Sequence, residues 1–167
     1  KDDSEHGYRA ERVLVAVGRR PNSDTLQLDK AGVRTTDRGY VETDEHLKTS
    51  RDGVYAAGDI NGKQMFMHAA NVEALVAAAN GFGASNVTMD YSAAPRAVFS
   101  SPQIAAVGMT EAEAKERGFK VTTTTTPYST VAKGEAIAEE AGFTKAVVDK
   151  DSERILGFHI IGPHAPI

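Results

Sequence analysis

The residue best placed for ligand chemistry in this sequence is Asp59, which follows the small, apolar segment 54–58. That segment is predicted to be a buried strand, and ligands of open α/β sheets bind beyond the carboxyl ends of the strands. The small residues Ala57 and Gly58 let a ligand approach the main chain closely. Asp59 can therefore accept hydrogen bonds from sugar or ribityl hydroxyls, although a Gly-Asp pair is also common in plain turns.

A second feature follows Asp59 directly, where Gly62 and Lys63 lead into a helix predicted from about residue 64 to about residue 81. The N-terminus of a helix carries partial positive charge and free N–H groups, which suit an anion or an electron-rich ring. The alternative is a helix that simply begins after a loop. Together the two features favour a ligand site more than either does alone.

Several other chemistries are excluded or made improbable by the sequence. There is no cysteine, so the chain has no thiol nucleophile, no disulfide and no Cys-ligated metal. His6 and His46 have no partner at ligand spacing, so we predict no metal site. His159 lies in a predicted strand whose alternation favours a structural role. Residues 81–83 follow a helix and lack the third glycine of a dinucleotide-binding fingerprint.

Composition places the chain among ordinary soluble proteins. It has 167 residues, of which 41% are hydrophobic and 25% charged, enough for one domain or two small ones. The 19 basic and 23 acidic residues form no basic block, so we expect no nucleic-acid partner. No apolar run reaches membrane-spanning length, and residues 1–5 are no signal peptide. We therefore predict a cytoplasmic protein without membrane contact.

The elements that position Asp59 are predicted as an α/β region. Residues 12–17 are aliphatic and β-branched and stop at Gly18, which indicates a strand covered on both faces of a parallel sheet. Residues 54–57 indicate a second such strand. The following helix is apolar nearly all round, which predicts that it is buried, and Gly81 and Gly83 end it. A polar connection over residues 84–95 marks a predicted domain boundary.

After Pro95 the pattern becomes that of an antiparallel sheet with at least one helix. Predicted strands are 96–99, 104–108, 121–126, and the hairpin 143–148 and 155–162. Thr110 and Glu113 have the spacing of a capping box, which starts a short helix ending at Gly118. The threonine run 122–126 is interpreted as a strand with one wet face, rather than as a low-complexity stalk.

Four motifs in register then resemble the FAD-dependent pyridine nucleotide–disulfide oxidoreductases. They are VLVAVGRRPN at 13–22, TSRDGVYAAGDI at 49–60, PRAVFSSPQIAAVGMTE at 95–111 and RILGFHIIGPHA at 154–165. They resemble, in order, the end of the NAD-binding domain, the second FAD motif, and the opening and central hairpin of the dimerisation domain. Within the family, GDINGKQMFMH at 58–68 is most similar to the dihydrolipoamide dehydrogenases, with mercuric reductases as the close alternative.

The resemblance implies roles for particular residues. Asp59, after Gly58, would hold the ribityl chain of FAD. Met65, Phe66 and Met67 would line the flavin mainly through their main chain at the helix start, and His68 matches the family's histidine there. Gly18 would lie beside the path of the nicotinamide cofactor, unless it is a plain strand-ending turn. His164 is not assigned to the family's catalytic base, a histidine expected beyond this chain, so no catalytic residue is predicted here.

The resemblance also implies an organisation and a function. The predicted fold is α/β plus α+β: the tail of a FAD/NAD(P)-binding Rossmann-like region, then an antiparallel-sheet dimerisation domain, cut at both ends. The predicted domains are 1–20, 21–90 and 91–167, with a homodimer formed through residues after Pro95. The parent enzyme would pass electrons between NAD(P)H, FAD and a disulfide substrate, and this chain alone would be inactive. The alternatives are a mercuric reductase-like enzyme or a non-catalytic dimerisation module.

Overall fold

The structure is a computed structural model that describes residues 7–83 and 85–167. Two sequence predictions involve residues outside those ranges. One concerns residues 1–6, where we predict no signal peptide in residues 1–5 and no metal-binding role for His6. The other is the first residue, Ala84, of the predicted connection.

Five antiparallel strands form the sheet of the second half. Their order in space is β1-β2-β5-β4-β3, so the hairpin strands β4 and β5 lie near the centre. The strands are β1 (Arg96–Val98), β2 (Gln103–Gly108), β3 (Val121–Pro127), β4 (Phe143–Asp149) and β5 (Ile155–Gly162). The helices are α1 (Met67–Phe82), α2 (Glu111–Glu116) and α3 (Ala132–Ala136), with short 3-10 turns at Asp59–Asn61 and Tyr128–Thr130. The predicted antiparallel sheet and its hairpin are confirmed.

The predicted capping box at the start of α2 is confirmed. The Thr110 hydroxyl accepts the Glu113 N–H at 3.2 Å, and the Glu113 carboxylate accepts the Thr110 N–H at 2.7 Å. Lys145 of β4 and Lys115 both reach Glu111, at 2.7 and 2.6 Å, and tie the helix to the sheet. These two lysines hold the pKa of Glu111 at about 2, below its usual range.

The threonine run forms strand β3 as predicted, but its water exposure differs from the prediction. Residues 122–125 are all exposed, so both faces of the strand meet solvent rather than one. Strand β3 lies at the edge of the sheet, where it pairs only with β4, and the side chains of these residues are covered on neither face. Val121 and Thr126 are half-buried, and the last residue, Pro127, is exposed.

The prediction of a buried strand over residues 12–17 is wrong for this structure. No strand is assigned there, and the side chains are exposed, with Leu14 at 90% and Val17 at 92%. An isolated apolar segment cannot form a sheet, because its main-chain groups need a neighbouring strand. None of the described residues pairs with this segment as a strand.

The second predicted buried strand, residues 54–57, is reduced to a single bridge. Tyr55 pairs with Lys48 in an antiparallel bridge, and further bridges join Thr35 to Val41 and Thr43 to Thr49. The region before the helix is thus a set of turns pinned by short pairings. The buried apolar side chains of this region include Leu47, which is completely buried, and Val41 and Val33, which are 3% and 6% exposed.

Helix α1 exists as predicted but differs in its start and in its burial. It begins at Met67, since Phe66 has extended main-chain angles as its N-cap, and Gly81 lies inside it while Gly83 is the C-cap. Only Ala69, Glu73 and Val76 are buried, which makes one covered face rather than the predicted all-round burial. Leu75 is 72% exposed. Within 7–83 and 85–167, no helix has the length and apolar character needed to cross a membrane.

Candidate functional site

Asp59 lies at the wall of a cavity of about 390 Å³. The cavity lies between the turn after Gly18 and the turn before helix α1. Its lining residues are Arg19, Arg20, Pro21, Asn22, Tyr40, Asp59, Ile60 and Met65. Two of the predicted ligand-binding residues, Asp59 and Met65, are thus brought to one cavity, together with two arginines that the site prediction did not include.

Arg19 connects the two sides of this cavity. Its guanidinium donates to Oδ2 of Asp59 and to the main-chain oxygen of Met65, both at 2.9 Å. Tyr40 in turn donates its hydroxyl to the main-chain oxygen of Arg19 at 3.0 Å. The arginine and aspartate side chains are 60% and 55% exposed, so the ion pair is partly solvated and weak. The second carboxylate oxygen of Asp59, Oδ1, is not part of that ion pair.

Two glycines flank Asp59 and allow its turn. Gly58 has φ +84° and lies buried against helix α1, where an added Cβ would stand 3.5 Å from the Cβ of Ala70. Gly62 has φ +70°, and a Cβ there would lie 2.6 Å from the ring of Tyr40. Gly62 therefore combines a main-chain conformation that favours glycine with close approach of a neighbouring side chain, whereas at Gly58 the positive φ alone favours glycine, because a Cβ would make ordinary contact with Ala70. The predicted approach of a ligand to the main chain of Gly58 remains a prediction.

A buried carboxylate, Glu73, holds this turn from the side of helix α1. Its Oε2 accepts the N–H of Gly58 at 2.5 Å and the side-chain N–H of Asn61 at 2.8 Å. Its Oε1 accepts the hydroxyl of Tyr91 at 2.7 Å. Burial and the hydrogen bond to Glu73 raise the pKa of Tyr91 above its usual value, so this hydroxyl remains a donor.

The start of helix α1 brings the other predicted residues together. The N-cap Phe66 makes no side-chain capping bond, and the Met67 side chain is 80% exposed. Phe66 stacks on His68, with ring centroids 5.6 Å apart. The ring of His68 is 2.6 Å from the main-chain oxygen of Pro95 through Nε2. The first turn of the helix thus remains open to a ligand, while His68 contacts the segment that enters the sheet.

Gly18 is placed next to the cavity but not in it. Its φ is +127°, and no atom lies within 4 Å of the position that a Cβ would take. The residue that follows, Arg19, makes the contacts to Asp59 and Met65. Among the described residues, nothing distinguishes Gly18 from a chain turn, and its predicted place beside a nicotinamide cofactor remains a prediction.

A second, apolar cavity of about 510 Å³ lies between His68 and the sheet. It is lined mainly by small and apolar side chains of β1, β2 and β5, among them Ala105, Phe158 and Ile160. His159 of the same strand β5 is 3.0 Å from the main-chain oxygen of Met109 through Nε2, which agrees with a structural role. In the part of the chain that the structure describes, no group of three or more acidic or histidine side chains can hold a metal ion.

Sequence reasoning missed Arg19, Tyr40, Glu73 and Tyr91 as parts of this site. One signal was available for Glu73, because an acid at helical spacing from Ala69 and Val76 lies on the covered face of α1. A charged residue on such a face needs partners. The contacts of Arg19 and Tyr40 join loops that are distant in sequence, so no local sequence pattern predicts them.

Comparison with protein families gives two matches that together cover most of the chain. A model described as pyridine nucleotide-disulphide oxidoreductase matches residues 1–74. A model described as pyridine nucleotide-disulphide oxidoreductase, dimerisation domain, matches residues 94–167. The first includes the Asp59 cavity, and the second includes the whole five-stranded sheet.

Individual relatives agree with these matches. The chain is 40% identical over 153 residues to dihydrolipoyl dehydrogenase of Chlamydia muridarum, covering 92% of this chain and 33% of that protein. It is 38% identical over 161 residues to mercuric reductase of Staphylococcus aureus, covering 96% and 29%. Among solved structures, the Cu(II) complex of the HOCl-induced flavoprotein disulfide reductase RclA from Escherichia coli has a TM-score of 0.82 at 27% identity. That match covers 96% of this chain and 38% of the other.

The chain therefore spans about a third of the length of the curated relatives it matches. The two family matches follow one another along the chain, at residues 1–74 and 94–167.

Proposed function

We propose, from the premise that this chain belongs to the pyridine nucleotide-disulphide oxidoreductase family, that it forms part of the FAD site and the dimer contact of such an enzyme. The family is FAD-dependent and binds NAD(P). The enzyme would pass electrons between NAD(P)H, FAD and a disulfide substrate. The single observation that supports the proposal is the Asp59 cavity. It has the Asp59 carboxylate and Met65 in its wall, and it lies beside the turn at Gly58 and the start of helix α1.

The residues of the cavity fit the ribityl part of FAD. Asp59 has a carboxylate oxygen outside its pair with Arg19, and that oxygen can accept a hydrogen bond from a hydroxyl. Gly58 has no side chain and directly precedes Asp59, so a ligand chain could pass close to the main chain there. Arg19 adds a weak, partly solvated restraint to the Asp59 side chain.

The start of helix α1 fits the electron-rich end of the flavin ring. FAD, when bound, supplies the carrier that takes two electrons from NAD(P)H and delivers them to the disulfide. The N–H groups that follow Met65 and Phe66 lie at the positive end of the 16-residue helix and stabilise negative charge near them. Met67 and His68 would border the ring from the same turn. Gly18 would face the nicotinamide side.

The sheet after Pro95 would supply the contact between two copies of the chain. Val98 is 53% exposed and Phe99 77% exposed at its β1 edge, and exposed apolar surface of this kind is typical of association sites. The partners are then a second copy of the enzyme and the disulfide substrate, with no nucleic acid and no membrane. We place the enzyme in the cytoplasm.

Two alternatives remain within the test. The 38% identity to a mercuric reductase favours reduction of mercuric ion as the second candidate. The third is a dimerisation module without chemistry, because the chain has no cysteine of its own. Lipoamide and mercuric ion serve as separate substrates in the same assay and distinguish the first two.

The experiment uses the protein expressed from the complete reading frame that contains this sequence. We expect bound FAD, NAD(P)H-dependent lipoamide reduction and sedimentation as a dimer. Asp59→Ala is expected to lower FAD affinity about tenfold or more, because it removes a charged hydrogen-bond acceptor. Asp52→Ala is the matched control, since Asp52 is a carboxylate with a 94% exposed side chain that pairs with Lys48, away from the cavity lining.

Three results would contradict the proposal. They are a purified protein without flavin, equal FAD affinity in the Asp59 and Asp52 variants, and a monomer at high concentration. Residues 1–167 expressed alone are expected to show no lipoamide reduction, because no cysteine is present to carry the electrons to a disulfide. Turnover by that preparation would also count against the assignment.

A further inference from the structure

Glu73 is a buried charged residue to which the proposed electron path gives no task. Its exposed fraction is 0%, and it shares the covered face of helix α1 with Ala69 and Val76. Burying a carboxylate is unfavourable unless hydrogen bonds replace its water. The apolar neighbours on the same face indicate that an aliphatic side chain would pack there with less cost. The presence of an acid therefore calls for an account of what it binds.

Each oxygen of Glu73 binds a different part of the chain. Oε2 receives two donors from the turn, the Gly58 N–H and the Asn61 side-chain amide. Asn61 passes the restraint on, because its Oδ1 accepts the N–H of Lys63 at 2.9 Å. Oε1 receives the hydroxyl of Tyr91, in the segment just before the sheet. One carboxylate thus joins the start of the turn, its end and the connection to the second domain.

This arrangement fixes the residue between the bonded groups. Holding the Gly58 N–H fixes the peptide between Ala57 and Gly58, and holding the Asn61 side chain fixes the other end of the turn, so the main chain that carries Asp59 is restrained from both sides. The outer contact of Asp59, the pair with Arg19, is more than half exposed and so restrains the turn weakly. The inner bonds from Glu73 are buried and charge-assisted, which makes them the stronger restraint.

We propose that Glu73 is a positioning residue for the proposed FAD site. It holds Asp59 and the start of helix α1 in the arrangement that receives FAD. Through Tyr91 it also links that arrangement to the segment entering the sheet. The inference rests on the proposed function, because it takes the Asp59 cavity to be the FAD site. Glu73 acts through the groups that it binds, Gly58, Asn61 and Tyr91, and not by contact with the ligand.

The test compares two variants on the same face of α1 in the protein expressed from the complete reading frame. Glu73→Gln keeps the shape but removes the charge that strengthens all three hydrogen bonds and replaces one accepting oxygen by an NH2 donor. Val76→Ala truncates a buried side chain one turn away and weakens the helix without touching the turn. The readouts are FAD affinity of the apoprotein, the visible circular dichroism of bound flavin, and hydrogen exchange of the Gly58 amide.

We expect Glu73→Gln to lower FAD affinity about tenfold, to change the flavin dichroism and to speed exchange at Gly58. Val76→Ala should lower the unfolding temperature while leaving all three readouts near wild type. If Glu73→Gln does not fold, Tyr91→Phe removes one of the three bonds without a cavity and should give a smaller loss, about threefold. Equal effects of the Glu73 and Val76 variants, or wild-type affinity in both Glu73→Gln and Tyr91→Phe, would overturn the inference.

Failure of the inference is distinguishable from failure of the proposed function. A wild-type protein that binds no FAD refutes the function and the cofactor role of Glu73 together. Wild-type binding with unchanged affinity in Glu73→Gln refutes only the inference. In either case, exchange at the Gly58 amide shows whether Glu73 holds the turn, because that readout needs no flavin.

Discussion

The two regions of this chain satisfy their main-chain groups in different ways. In the sheet of residues 96–162, five strands pair in one continuous antiparallel ladder, and Val147 at its centre is completely buried. In residues 7–83, called the wall because they contain the Asp59 cavity, three isolated bridges, one helix and a short 3-10 turn carry the structure, and side-chain contacts such as Glu73 to Gly58 replace a ladder. The sheet is built from repeated local pairings, whereas the wall depends on single long-range contacts.

The two regions therefore differ in how many hydrogen bonds share the work of holding each residue in place. A regular ladder spreads its free energy over many bonds, so one substitution is shared by neighbours. The wall concentrates restraint in a few groups around Asp59, which suits a binding site because the geometry there must be specific. Apolar side chains at 13, 14, 15 and 17 in the wall are also largely exposed.

The largest effect is expected from Gly157→Ala in the sheet. Gly157 of β5 pairs with Gly108 on one side and Val147 on the other, and an added Cβ would clash with the main-chain oxygen of Met109. Since a main-chain oxygen cannot rotate away, we expect the free energy of unfolding to fall by about 3 kcal/mol. Urea unfolding followed by circular dichroism measures it. Gly118→Ala, with φ +84° but open space around it, should cost only about 1 kcal/mol.

The Gly157→Ala variant also tests whether the sheet and the wall unfold independently. Hydrogen exchange should accelerate across the strands in Gly157→Ala while the Gly58 amide keeps its protection. Equal acceleration in both regions would mean that they unfold as one cooperative unit, and the separation drawn here would be wrong.

A smaller effect is expected from Gly62→Ala in the wall. The new methyl group would meet the ring of Tyr40, a side chain that can move, and would sit on a left-handed residue. We expect a loss of about 2 kcal/mol, of which about 1 kcal/mol comes from the main-chain conformation. Gly53→Ala is the matched control, because its φ is +74° and nothing lies within 4 Å. If both variants lose the same stability, Tyr40 does not pack against the turn in solution.

The smallest effect concerns pH and separates the ion pairs of the two regions. Lys115 and Lys145 lower the pKa of Glu111 to about 2, and Lys48 lowers the pKa of Asp52. A carboxylate with a lowered folded-state pKa stabilises the protein above its unfolded value, and this is lost as pH falls through the folded value. Glu111→Gln should therefore be less stable than wild type at pH 6, and the difference should shrink between pH 4.5 and about 2.

Asp52→Asn serves as the counterpart in the wall. It removes one exposed pair within a single turn, whereas Glu111 connects helix α2 to strand β4. Thermal unfolding across this pH range should show a smaller pH-dependent difference for Asp52→Asn than for Glu111→Gln. The reverse order would show that the lysine pair on Glu111 is broken in solution.

The sheet could be predicted from the sequence because its signals are local. The β-branched runs, the charged loop between β4 and β5 and the capping box at Thr110 each specify a nearby pairing. The strand at 12–17 could not be predicted correctly in the same way. Its pattern describes a strand with neighbours on both sides, and the pattern alone does not show whether those neighbours are within reach.

The site was predictable in part for a related reason. Asp59 and the start of α1 adjoin in sequence, so a strand-end carboxylate and a helix start could be identified together. The contacts of Arg19 cross 40 residues to Asp59 and 46 to Met65, and only the folded chain brings them together. The domain limits and the roles of Gly18 and His68 remain predictions.

The open edge of strand β3 has a consequence for how the protein behaves when concentrated. Residues 122–125 are uncharged, favour extended structure and expose unpaired main-chain groups on one side. Such an edge templates the addition of a further strand, and natural sheets blunt it with charge or proline. Here only Pro127 and the preceding Lys120 limit it, so heated or aged solutions should form intermolecular β-structure that begins at this edge.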